Sequence, residues 1–299
     1  ELDTKNDNDN DNTGIRTIEE LESDELMANM GGTEYNVAIS SALKFLKEHK
    51  NKYLNLVALE QYSPKFIDII KNIIDPDHPG LNLIYSQFRS MEGIGIFALT
   101  LEANGFAEFK IRRIGASNWE INMSEEDMGK QTYALYTGTE DAEEREIIRN
   151  IYNGDWDNIP NSIATQLRSK SSNNDLGEII KVLMITAAGS EGINLRNTRY
   201  VHIMEPYWHP VRTEQVIGRA RRICSHKSLP IELQTVEVFL YLSVFTPKQL
   251  DSEYATELKL KDQSNLTGLP QSSDEKLYEV SNIKENLATQ LLRGVKEAS

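Results

Sequence analysis

The spacing of apolar positions changes along this chain, and the changes mark out its elements. Over residues 35–50, Val37, Leu43 and Leu46 recur at helical spacing. Over residues 64–74, Phe66, Ile69, Ile70, Ile73 and Ile74 share one face, and Pro64 suits a first turn. Two helices are predicted there. Leu81–Tyr85 is a short apolar run and predicts a buried strand, followed by a helix over 93–103 that stops at Asn104-Gly105. Residues 107–114 predict another strand, 115–132 a polar loop, 133–136 a short strand and 142–152 a charged helix. Residues 154–177 are polar and predict an exposed insertion. The continuous apolar run 179–185 predicts a strand covered on both faces. A strand over 200–204, a helix over 210–223 opened by Pro210, and a strand over 235–244 complete the series.

Strands alternating with helices predict an α/β fold, a mostly parallel central sheet with helices on both faces. In such sheets ligands sit at the carboxyl ends of the strands. Residues 35–250 form the predicted domain, with insertions near 115–132 and 154–177. Residues 251–271 are polar. Residues 272–298 predict an amphipathic helix, opened by a Ser272/Glu275 capping box, with Leu277, Val280, Ile283, Leu287, Leu291 and Val295 in one stripe. Packing of this helix on its own domain is expected ahead of docking on a further part or a partner. The stripe is still running at the last residues, and the first residue is Glu1 rather than Met; both suggest a piece of a longer protein.

Charge alters the picture locally. The chain carries a net charge of -14. Residues 1–34 hold eleven acidic side chains against Lys5 and Arg16, with many Asn, and predict a disordered acidic linker. Residues 196–227 run the other way, with seven Lys and Arg against Glu205 and Glu214. That local basicity suits phosphate contact despite the overall charge. One cysteine, Cys224, excludes an internal disulfide; it is expected half-buried, and an intracellular location is expected. The five histidines show no metal-ligand spacing, and no metal site is expected. No apolar run approaches the roughly 20 residues of a membrane span.

The strongest chemical signal is Gln215-Val-Ile-Gly218-Arg219-Ala-Arg221-Arg222. On a continuous helix Gln215, Arg219 and Arg222 share one face, and Gly218 removes bulk beside them. Guanidinium forks match phosphate oxygens bidentately, so such a face suits a polyphosphate. A solvated basic helix face is the plainer alternative, but it rarely takes this pattern. The second signal is the segment 186–195, directly after a strand: Gly189 and Gly192 permit a tight turn, and Thr186 and Ser190 add hydroxyls. Weaker signals are Ser86-Gln87 after the first strand and Thr137-Gly138 followed by Arg145. Trp208 is expected to pack the start of its helix against the sheet rather than stack on a base, and Tyr62 and Phe66 are expected in the core.

These segments, in this order, resemble motifs IV, IVa, V and VI of the second RecA-like domain of superfamily 2 helicases. The resemblance covers about residues 62–245. Tyr207–Arg212, the run 222–226 and Ser273-Asp274-Glu275 bring it closer to the helicase-like NTPases and early-transcription-factor subunits of large nucleocytoplasmic DNA viruses, with chromatin-remodelling translocases as more distant relatives. The resemblance implies a RecA-like domain with Arg222 as the arginine finger, Arg219 as its phosphate or coupling neighbour, and Gln215 orienting the water or the cleft. It places Gly218, Gly192 and Glu191 on the nucleotide side. It assigns Ser86, Gln87, Gly138, Thr186, Gly189 and Ser190 to nucleic acid. It implies ATP as cofactor and DNA or RNA as partner, with transcription machinery a further partner and the host cytoplasm or virion as location.

No G-x-x-x-x-G-K-[ST] loop and no Asp-Glu box occurs in the sequence. In the family these elements, and the Mg²⁺ they hold, belong to an N-terminal RecA-like domain. The chain on its own is therefore expected not to hydrolyse ATP. Two function classes follow. One is the C-terminal half of an ATP-dependent helicase or translocase. The other is a non-catalytic helicase-like scaffold that binds transcription machinery through the 272–298 helix.

Overall fold

The computed structural model describes residues 33–89, 93–115, 118–138, 140–187, 192–251 and 270–298. Among the described residues four helices come first: α1 (Thr33–Glu48), α2 (Lys50–Tyr53), α3 (Leu56–Tyr62) and α4 (Pro64–Ile74). Strand β1 (Leu81–Tyr85) and helix α5 (Ile94–Ala103) follow, then β2 (Phe106–Glu108), β3 (Ile111–Ile114), β4 (Asn118–Ile121) and β5 (Gln131–Tyr136). The second half holds α6 (Ala142–Tyr152), α7 (Asn161–Lys170), β6 (Val182–Ile185), β7 (Thr198–Ile203), α8 (Pro210–Ala220), β8 (Glu237–Leu240), α9 (Pro247–Leu250) and α10 (Ser273–Ala298).

Six strands form one sheet in the order β2-β5-β6-β1-β7-β8, and every recorded pairing in it is parallel. β3 and β4 pair antiparallel as a separate hairpin. Successive side chains of a strand face opposite ways, so the central strands feed two cores. On one face Leu83, Leu183, Ile185, Val201 and Ile203 pack with α6, α7 and α8 through Ile148, Ile151, Leu167, Val216 and Ile217. On the other, Ile84, Val182 and Met184 pack with α4 and α5 through Ile69, Ile70, Ile73, Phe97 and Leu101. This is the parallel sheet covered on both faces that the apolar runs and the RecA-like resemblance predict.

A buried polar line crosses the second face. His202 Nε2 lies 2.9 Å from Asn82 Oδ1, and its Nδ1 lies 2.8 Å from the Tyr241 hydroxyl, which accepts from Asn72 Nδ2 at 2.9 Å. Burial pushes the His202 imidazole down to about 3, so it is neutral, and its ring stacks on Phe239.

Several expectations are corrected. The strand expected over 107–114 is two strands in two sheets, because the chain leaves the main sheet after Phe109, whose N–H donates to Tyr133 O. The loop expected over 115–132 contains β4, whose Trp119 is buried. The insertion expected over 154–177 is structural: Trp156, Ile159, Ile163 and Leu167 are all buried in the first core. The last strand is limited to Glu237–Leu240. Tyr62 is exposed and stacks edge-on to Tyr53, whereas Phe66 is buried.

The C-terminal helix starts as expected. Ser272 N–H donates to Glu275 Oε2, and the Ser272 hydroxyl accepts from Glu275 N–H, closing the capping box. Its first part is docked: Asp274 pairs with Lys65 at 2.6 Å and accepts from Ser243 N–H. Beyond that, Ile283, Leu287, Leu291 and Val295 are exposed, so packing on its own domain holds for the first turns only.

Candidate nucleotide and nucleic-acid site

The carboxyl ends of β1, β6 and β7 lie side by side, with Tyr85 opposite both Ile185 and Ile203. The segments that follow them carry the predicted chemistry.

α8 brings Gln215 and Arg219 onto one face, four residues apart. Its opposite face, Val216, Ile217 and Ala220, is buried on the sheet, so the polar pair points away from the core. Gln215 is exposed and Arg219 half-buried. Arg222 is not on that helix face. The helix stops at Ala220, and Arg221 takes a non-helical conformation with φ -95° and ψ 68°. Tertiary anchoring ends it: the chain turns through Cys224 at φ 63°, and Ser225 O accepts from Asn197 N–H at 3.0 Å. His226 is buried, with Nε2 2.8 Å from Thr198 O. Ser225 also ties back to Arg222, donating from its N–H at 3.1 Å and from its hydroxyl at 2.8 Å to Arg222 O. The Arg222 backbone is thus pinned to the start of β7 while its side chain stays exposed. Cys224 is exposed, not half-buried.

Among the described residues no ion pair involves Arg219, Arg221 or Arg222. Arg219 Nε is buried without any hydrogen-bond partner. An orphaned buried donor costs about 1–3 kcal/mol, so this guanidinium fits an anionic ligand. A Cβ added at Gly218 meets nothing within 4 Å, so the space beside Arg219 is open. These features fit a polyphosphate approaching from outside. Gly192 adopts φ 71° with open space around it. Glu191, Gly189 and Ser190 lie outside the described residues.

The expected nucleic-acid residues sit differently. Ser86 is fully buried, and its hydroxyl donates to Glu205 Oε1 at 2.6 Å. Gln87 is half-buried, and its N–H donates to Glu205 Oε2 at 3.2 Å. Thr186 is buried, and its hydroxyl donates to Thr137 O at 2.9 Å. Gly138 takes φ 94°, and its N–H donates to Glu140 Oε2 at 3.0 Å. The Ser86 and Thr186 hydroxyls thus each tie one loop to its neighbour. Arg145 lies with its guanidinium carbon 5.8 Å from the Tyr136 ring centroid, and its Nε is buried without a partner.

Glu205 is the site residue that sequence reasoning missed. Only its place two residues past β7 hinted at a role. Burial pushes its carboxyl up to about 7. Burial likewise pushes the Tyr85 phenol up to about 12, against the lowering effect of Arg212. Arg212 sits 4.6 Å over the Tyr207 ring. Trp208 does not pack on the sheet as expected. It is 45% exposed, and Lys284 of α10 lies 3.6 Å over its ring.

Glu205 and His202 make opposite contributions to stability against pH. Folded Glu205 holds its proton up to about 7, whereas the unfolded side chain releases it near 4.5. Across that window folding binds a proton at this site, so the site's contribution falls as pH rises. Folded His202 stays neutral down to about 3, whereas the unfolded imidazole protonates near 6.5, so its contribution falls as pH drops. The two effects oppose each other between pH 4.5 and 6.5. Glu205→Gln should therefore lose stability on acidification through this window more steeply than the wild type, by about 1 kcal/mol per pH unit. Urea unfolding at several pH values measures the slopes, and parallel slopes would refute the assignment.

Comparison with known proteins fits this geometry. Residues 67–224, more than half of the chain, match the family described as the helicase conserved C-terminal domain. The chain is 34% identical over 191 residues to the putative ATP-dependent RNA helicase R563 of Acanthamoeba polyphaga mimivirus, covering 64% of this chain and 28% of that protein. It is 31% identical over 268 residues to the putative ATP-dependent RNA helicase R350 of the same virus, covering 90% of this chain and 26% of that protein. It is 32% identical over 227 residues to a termination factor NPH-I homolog of African swine fever virus, covering 68% of this chain and 29% of that protein. The chain spans under a third of the length of each of these relatives. The matched region runs from α4 to Cys224 and takes in β1, β6, β7, α8 and the pinned turn that carries Arg222. This chain belongs to the helicase conserved C-terminal domain family.

Proposed function

We propose that this chain is the C-terminal motor half of an ATP-driven helicase or translocase acting on DNA or RNA. The observation that carries this reading is the Arg219/Arg222 pair: among the described residues neither guanidinium has an ion pair, and one has an orphaned buried Nε beside an open glycine. Arg222 is the arginine finger, and Arg219 is its neighbour on the phosphates. Gln215, Gly218 and Gly192 line the same cleft edge. A first RecA-like domain supplies the phosphate-binding loop and the acidic residues for Mg²⁺, so this chain alone does not turn over ATP. The nucleotide, once bound, supplies the negative charge that the two arginines neutralise.

Nucleic acid runs along the loops after β1, β5 and β6. Gln87 and Arg145 lie near its path, and Ser86, Thr137, Gly138 and Thr186 hold the loops in shape. The viral relatives, one of them named as a termination factor homolog, support a role in viral transcription inside the host cell or virion. Among the described residues no helix is long and apolar enough to cross a membrane.

Arg219→Lys tests the reading. It keeps the charge but loses the planar fork. In the full-length protein, ATP hydrolysis stimulated by nucleic acid should fall by about 10- to 100-fold, the range that losing hydrogen bonds to a charged group implies. A rate within twofold of wild type would remove Arg219 from the phosphates.

A further inference from the structure

We propose that Glu205 is a positioning residue for nucleic-acid binding, holding Ser86 and Gln87 so that the loop after β1 keeps the shape that grips the strand. The proposal rests on the motor reading above and assigns a role to a residue that reading does not use.

The backbone places Glu205 for this task. Tyr85 and Ile203 are in register across β1 and β7, and Met204 N–H donates to Tyr85 O at 3.0 Å, extending the ladder by one step. The next residue on each strand is Ser86 on one side and Glu205 on the other. Both carboxyl oxygens are used, one by the Ser86 hydroxyl at 2.6 Å and one by Gln87 N–H at 3.2 Å. Ser86 Oγ in turn accepts from Phe88 N–H at 3.0 Å. Phe88 O accepts from Ile94 N–H at 3.0 Å and so opens α5. Gly93 is pressed against the same spot: a Cβ there would lie 2.0 Å from Phe88 O and 2.4 Å from Ser86 Oγ. The described ends of this loop are tied to each other, and Ser86 with Glu205 is their keystone.

A bare carboxylate beside a polyanion is repulsive, which argues against direct contact and for a supporting role. The surrounding charges are mixed. Lys65 Nζ donates to Met204 O at 3.0 Å and pairs with Asp274, while Tyr85, Tyr207 and Arg212 lie on the β1 and α8 sides. Burial brings the carboxyl's titration close to neutrality. The hold survives protonation. A protonated Glu205 donates to Ser86 Oγ, whose hydroxyl then turns to Phe88 O, also at 3.0 Å. Glutamine reproduces that pattern, with its amide N–H on Ser86 Oγ and its carbonyl accepting from Gln87 N–H.

The test uses ATP hydrolysis by the full-length protein as a function of oligonucleotide concentration. Glu205→Ala should raise the half-saturating concentration about tenfold, the loss expected for a charge-assisted hydrogen bond, with the rate at saturation within about twofold of wild type. Glu205→Gln should restore the half-saturating concentration to within about twofold. Ser86→Ala combined with Glu205→Ala should be no worse than Glu205→Ala alone, as for two members of one unit. The proposal is overturned by unchanged half-saturation in Glu205→Ala, by a defect confined to the saturated rate, or by a glutamine variant as weak as alanine. If Glu205→Ala does not fold, Ser86→Ala alone must show the rise, and its absence overturns the proposal equally. A wild-type protein whose hydrolysis ignores oligonucleotide would instead remove the motor reading itself.

Discussion

Arg222→Ala in the full-length protein should lower ATP hydrolysis by about a thousandfold or more, the range an arginine finger supplies in related nucleotide hydrolases. The fold should be untouched. Arg222 is exposed and makes no ion pair among the described residues, so truncation breaks no such pair. Surface changes of this kind usually stay within about 0.5 kcal/mol. Its placement is carried by the main chain: Arg222 O is fixed by Ser225, and Ser225 by Asn197 at the start of β7. Single-turnover hydrolysis with saturating nucleic acid, alongside a thermal melt, makes the measurement. A variant that keeps hydrolysis within tenfold of wild type would remove Arg222 as the finger, and a full-length wild-type protein without hydrolysis would favour the scaffold reading. Function would then rest on the exposed Ile283, Leu287, Leu291 and Val295 face of α10.

Asn174→Ala should cost about 3–5 kcal/mol and lower the melting midpoint by about 10 °C. Asn174 is buried and fully used. Its Nδ2 donates to Tyr152 O at 2.9 Å and to Ile180 O at 3.0 Å, and its Oδ1 accepts from Ile179 N–H at 2.8 Å and Ile180 N–H at 3.0 Å. Alanine would leave two amides and two carbonyls without these partners, in a region too well packed for easy access of water. The residue joins the end of α6 to the approach to β6, so both the first core and the central strand feel the loss. Differential scanning calorimetry of both proteins decides it; a midpoint shift under about 2 °C would mean that water or a small rearrangement replaces all four bonds.

Asn174 also shows why part of this fold was hidden in the sequence. The stretch 154–177 looks polar because its buried anchors, Trp156, Ile159, Ile163 and Leu167, are spread among Asn, Asp, Ser and Lys. A buried asparagine that satisfies main-chain groups leaves no hydrophobic trace. The central strands were legible for the opposite reason: β1 and β6 are covered on both faces, and Asn82 is the one polar amide in them. The end of α8 was misplaced because Arg221, Arg222 and Ile223 suit a helix locally. Ile223 is 98% exposed, and no packing rewards another turn, whereas Ser225 and His226 gain bonds to β7 by leaving it. For the site, the Gln215/Arg219 face was legible from spacing alone. Which hydroxyls tie one loop to the next was not, because Glu205 and Thr137, the groups that accept from them, lie 119 and 49 residues away in sequence.

The loops at the carboxyl edge are laced to one another sideways, Thr186 to Thr137 and Ser86 to Glu205, rather than each standing on its own strand. They are consequently not interchangeable modules. A chimaera that borrows the turn after β6 from a relative must bring that relative's turn after β5 with it, or the graft arrives with a hydroxyl and a carbonyl that no longer meet. The turns along this rim are thus inherited in pairs.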